Sequence, residues 1–154
     1  MFVMTTKVNK KKIFTILGAV AAFIAVLVLL LSNRQTVSTG ADMTVSSNDD
    51  RIRFLASFGW EVVTSPVETS QVRIPTEASQ VFERYNALQK AMGYDLTPYA
   101  GKTVMRYVYT IKNYPGATEP VYATVLIANN RIIGGDITNT AATGKIQGFA
   151  MGEA

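Results

Sequence analysis

The chain has 154 residues, 48% of them hydrophobic, with no cysteine, no histidine and a formal net charge of +4. The two missing residue types exclude disulfide staples, thiol nucleophiles, Ser-His-Asp and Cys-His arrangements and the usual structural zinc set. The positive charge does not point to nucleic acid, because residues 1–34 hold five basic side chains and no acid while residues 35–154 hold ten basic and eleven acidic ones; that nearly neutral remainder lacks the single-sign patch that phosphates require.

In chain order, Lys7, Lys10, Lys11 and Lys12 precede an uncharged apolar run at 13–31. About twenty apolar residues in a helix span the hydrocarbon core with every backbone polar group bonded internally. Residues 13–32 therefore predict a transmembrane helix, and the lysines predict that the tail at 1–12 stays in the cytoplasm. The expected placement is a single pass through the cell membrane, a signal anchor with everything beyond it extracytoplasmic. A cleaved signal peptide is the competing reading. Its apolar region is normally about 7–15 residues long, and the weak small-residue site at Ser38-Thr39-Gly40 lies well past the end of this run. Gly18, Ala21, Ala22 and Ala25 share one helix face, a pattern that suits helix association and an oligomerising anchor.

Residues 33–48 are rich in Ser, Thr, Asn and Asp and predict a flexible stalk, which leaves 49–154 for one domain with a modest core. Asn48-Asp49-Asp50 caps a short helix carrying Ile52, Phe54, Leu55 and Phe58, which Gly59 ends. Trp60 to Val63 starts a strand, Pro66 interrupts it, and 68–74 forms a second short strand or extended edge. Pro75 precedes a second helix at 77–92, whose predicted face is Val81, Phe82, Tyr85, Leu88 and Met92, with Gly93 as its stop. The β-branched and aromatic segment at 102–113 predicts a long strand. Strands at 121–128 and 131–138 form a hairpin through Asn129-Asn130, a pair that tolerates the positive φ angles of a two-residue turn. Gly134-Gly135 predicts a bulge, and the residues from Gly144 onward a tail or final edge strand. The fold class is α+β: an N-terminal transmembrane helix, then about two helices packed on one face of a twisted antiparallel sheet of four to five strands.

The chemistry is sparse. Ser79 and Lys90 lie too far apart on one helix to act as a dyad. Glu61, Glu68, Asp95 and Asp136 sit near element ends, and nothing in the sequence brings two of them together as glycosidic hydrolysis needs. Asp136 is either re-aimed by the glycine bulge or a turn acid bonding its own backbone. Ser47 to Asp50 has calcium-type oxygens without an EF-hand spacing and fits a helix cap better. No catalytic residue, metal ligand or cofactor is expected. The aromatics are less evenly spread. All seven tyrosines fall between Tyr85 and Tyr122, and Met105, Tyr107, Tyr109 and Ile111 share one face of the long strand, with Arg106 on the other. Tyr107, Tyr109, Tyr122 and Arg106 are the candidate partner-binding residues, set against the alternative of tyrosines packed across strands with wet hydroxyls.

The segments RIRFLASFGWEV at 51–62, YNALQKAMGYDLTPYAGKTVMRYVYTIKNYPG at 85–116 and RIIGGDI at 131–137 resemble, in order and spacing, the bacterial domain-of-unknown-function 4830 family. The resemblance runs over 49–152. It implies a membrane-anchored or secreted protein of Gram-positive bacteria and brings no activity, substrate or catalytic residue. The expected function is an extracytoplasmic binding or regulatory accessory module, its partner another envelope protein, a peptide or a glycan. The alternatives are a carboxylate-dependent hydrolase of cell-envelope polymer and a structural anchor protein.

Overall fold

The computed structural model describes residues 44–152. The apolar run at 13–31 and its flanks lie outside them, and no helix among the described residues is long and apolar enough to cross a membrane. The described residues form two helices, α1 (Asn48–Ser57) and α2 (Gln80–Ala91), and five strands. The strands are β1 (Glu68–Arg73), β2 (Thr103–Thr110), β3 (Val121–Ala128), β4 (Arg131–Asn139) and β5 (Ile146–Gln147). They make one antiparallel sheet in the order β1-β2-β3-β4-β5, so each strand pairs with its neighbour in sequence. The domain already includes Thr44, which bridges Arg131, and the buried Val45, whose N–H donates to the Asn130 carbonyl at 2.7 Å.

Helix α1 begins at the first residue of the Asn-Asp-Asp run, and its cap lies one residue earlier. Its N-cap is Ser47, in a capping box where the Ser47 hydroxyl accepts from the Asp50 N–H (3.2 Å) and the Asp50 carboxylate accepts from the Ser47 N–H (2.9 Å). Ser46 adds its own N–H at 2.9 Å, and Arg53 pairs with the same carboxylate from the next turn. Trp60 to Val63 forms only a single bridge, Val62 to Ile111, instead of a strand. Helix α2 starts three residues later than predicted, where the Ser79 hydroxyl caps the Phe82 N–H at 3.2 Å. The hairpin turn is as predicted: Asn129 and Asn130 take φ of 50° and 59°. The bulge precedes the glycine pair, because the β3–β4 register shifts between Leu126 and Ile127 and leaves Ile133 as the extra residue.

The helices do not share a face of the sheet, contrary to expectation. Phe54 and Leu55 of α1 pack with Tyr109, Val125 and Ile137 on one side, joined by Trp60 and Phe149. Phe82 and Tyr85 of α2 pack with Val104, Leu126 and Ile133 on the other. Both strand faces carry enough apolar side chains to hold a helix, and two covers bury more of them than one. The expected apolar stripe of α2 also fails at its start, since Val81 is 79% exposed. The two buried α2 residues are instead polar, Asn86 and Gln89. Asn86 accepts from the Leu96 N–H (2.8 Å) and donates to Asp95 and Thr97. Gln89 exchanges two hydrogen bonds with Gly135, at 2.8 and 2.9 Å, and so does for β4 what a neighbouring strand would do beyond the short β5. Gly134 permits this approach, and Gly135 permits the close packing of β4 on β3. A Cβ on Gly134 would lie 2.5 Å from the Gln89 Oε1, and one on Gly135 would lie 2.1 Å from the Thr124 carbonyl oxygen.

Candidate functional site

Helix α2 leaves part of its face of the sheet uncovered, and a groove of about 430 Å³ lies beside its N-terminal half. Ser79, Val81, Phe82 and Tyr85 form the helical wall, with Pro75 at its foot. Val72 and Ile74 on and beyond β1, Arg106 on β2, and Thr124 and Leu126 on β3 form the floor, and Asp136, Thr138 and Ile146 close the far side. The groove is mostly apolar, and two of the most exposed large hydrophobic side chains, Val81 and Ile146 (59% exposed), line it.

Its polar content is concentrated. Asp136 is 6% exposed; its Oδ1 accepts from the Tyr85 hydroxyl at 2.8 Å and its Oδ2 from the Thr138 hydroxyl at 2.6 Å. Burial, and next the charge of Asp136, push the Tyr85 hydroxyl well above its ordinary pKa, so it stays protonated and remains a donor to the carboxylate. Arg106 donates to Glu68 of β1 at 2.6 Å, one strand away. The Ser70 hydroxyl and then the Arg106 charge hold Glu68 below its usual carboxylate range. Among the described residues, Asp136 and Arg106 are the only charged side chains lining the groove.

The four candidate residues divide between the two faces. Tyr109 is fully buried beneath α1, where its hydroxyl accepts from the Arg51 Nε (2.7 Å) and donates to the Asn48 Oδ1 (2.9 Å). It belongs to the core and not to an exposed surface. Tyr107 is half-buried on the same side, with the Arg51 guanidinium 3.8 Å above its ring. Arg106 lies on the opposite face and lines the groove; Tyr122 is half-exposed on that face, opposite Thr138 in the ladder, and does not line it. The structure therefore brings one candidate, Arg106, to the site and adds Tyr85, Thr138 and Asp136. An acid inside the otherwise apolar run 132–137 was the available signal for Asp136; nothing in the sequence linked it to Tyr85, fifty-one positions away.

The other polar motifs resolve into local structure. Ser47 to Asp50 is the start of α1, Ser79 caps α2, and Lys90 pairs with Asp95 at 3.7 Å. Asp95 accepts from the Thr97 N–H (2.9 Å) and from Asn86. No group of three His, Cys, Asp or Glu residues that could hold a metal occurs among the described residues. In comparison with known proteins, a family model described as Domain of unknown function (DUF4830) matches residues 54–137, which span α1 to β4 and most of the groove. No curated protein and no solved structure matches the chain.

Proposed function

We propose that this chain, which belongs to the DUF4830 family of unknown function, is a membrane-anchored extracytoplasmic binding module. It acts as a regulatory accessory protein whose ligand lies in the groove between α2 and the sheet. The observation that carries this is the groove itself, an open apolar channel with exposed Val81 and Ile146 at its edges and a buried, hydrogen-bonded carboxylate in its wall. A concave apolar surface with a few convergent polar groups is the usual form of a binding site, and side chains such as Val81 are left in water at a cost of about 25 cal/mol per Å² that an occupant removes. The apolar run at 13–31 behind four lysines supports the anchor and its orientation. Hydrolysis by a carboxylate pair has weaker support, since Asp136 has no second carboxylate beside it in the groove lining.

Photo-crosslinking from inside the groove tests the reading. A benzoylphenylalanine placed at Val81 or Ile146 of the full-length chain in its own cells should give the same adduct from both positions. The exposed loop residue Glu119 should give none. No adduct from the two groove positions, or one identical adduct from all three, would overturn it.

A further inference from the structure

We infer that the groove takes an extended segment of a partner polypeptide that presents a lysine side chain to Asp136. This rests on the groove being a binding site and names the chemistry of its occupant. The argument is one of charge. Asp136 is nine-tenths buried, and its two hydrogen-bond partners, the Tyr85 and Thr138 hydroxyls, are neutral. Arg106, the other charged group of the lining, makes its salt bridge with the half-exposed Glu68; its charge also reaches Tyr85, but it forms no salt bridge with Asp136. Asp136 makes no salt bridge among the described residues. A carboxylate withdrawn from water is unfavourable without a counter-charge, and each of its oxygens keeps a lone-pair site beyond the one in use.

The surroundings of that carboxylate select the cation. Val81, Phe82 and Ile146 line the same groove as the carboxylate, an apolar setting that suits a side chain with a methylene stem and a compact ammonium tip. An acidic ligand meets like-charge repulsion, and a neutral one leaves Asp136 without a counter-ion. The apolar channel is larger than a single lysine side chain fills, and Val81 and Ile146 lie at its edges. Apolar residues flanking the lysine in a polypeptide cover them, which a free small amine does not.

Three tripeptides capped at both ends test this on the purified full-length chain: leucyl-lysyl-leucine and its norleucine and glutamate counterparts, followed by amide shifts of Phe82, Thr124 and Thr138. The lysine peptide should shift these amides and bind at least about tenfold more tightly than the norleucine peptide, since it alone forms a charge-assisted hydrogen bond. The glutamate peptide should leave the amides unmoved. Asp136→Asn, which keeps the shape and acceptor oxygen, should reduce the lysine peptide to the norleucine affinity. The lysine-to-norleucine ratio on the native chain decides the question even where that variant fails to fold. Equal binding of the two peptides would overturn the lysine assignment while leaving the groove a binding site; groove amides unmoved by all three would overturn both.

Discussion

Tyr109 ties α1 to the sheet: its ring is enclosed in the core and its hydroxyl sits between Arg51 and Asn48, residues on the first turns of the helix. Tyr109→Phe removes the hydroxyl and leaves two polar groups short of a partner, so chemical denaturation should show a loss of about 1–2 kcal/mol. Tyr109→Ala should lose about 3–5 kcal/mol, because it opens a cavity as well. Tyr122→Ala, at a half-exposed position, should cost much less. Equal effects at the two tyrosines would contradict the assignment of Tyr109 to the core. At this scale the sequence was only partly readable. Alternation placed Tyr107 and Tyr109 together and Arg106 opposite them, which the structure keeps. Alternation does not say which face a helix covers, and here each face has one, so a shared strand face was no guide to exposure.

Helix α2 was legible as a helix from its Pro75 entry and Gly93 exit, but not in what it buries. Its deepest positions, Asn86 and Gln89, are polar, and a count of apolar residues passes over them. Their burial follows from partners on other segments: Asn86 bonds to Asp95, Leu96 and Thr97, and Gln89 meets the backbone of Gly135, an approach that the missing side chain of Gly134 leaves room for. Gln89→Leu should therefore destabilise the domain by about 2–4 kcal/mol in equilibrium unfolding, despite the gain in hydrophobicity, since it orphans a buried N–H and a buried carbonyl. A neutral or stabilising result would mean that the amide pair contributes nothing to holding α2 on β4. The α1 cap makes a prediction in pH. The Ser46 N–H, then the Ser47 hydroxyl and N–H, hold Asp50 far below the ordinary carboxylate value of 3.8, and the Thr97 hydroxyl and Asn86 do the same for Asp95. A folded-state pKa that is depressed contributes stability above the unfolded value and loses it as pH falls from there towards the folded value. Melting temperature should thus fall with acidification below about pH 3.8. Asp50→Asn should shrink that fall, and an unchanged acid limb would contradict the cap's role.

The described residues form a five-stranded meander with a helix on either side, and the legibility of this domain follows the range of its contacts. The β2, β3 and β4 strands and the Asn129-Asn130 turn depend on pairings close in sequence, and they were readable. The placement of the helices was not, because both sheet faces mix apolar and polar residues and hydrophobicity alone does not choose between them. The groove was hidden for the same reason: it exists only because α2, once committed to its face, covers part of it. The central claim, that this groove is occupied by a partner outside the cell membrane, has a direct test in a chain that has no cysteine of its own. Single cysteines replace Val81 in the groove and Glu119 in the exposed loop, and a membrane-impermeant maleimide is added to intact cells and, separately, to the purified protein. The account predicts rapid labelling at Glu119→Cys in both settings, with Val81→Cys labelled readily when purified but shielded in cells. Equal labelling of Val81→Cys in the two settings, or no labelling of Glu119→Cys in intact cells, would contradict it.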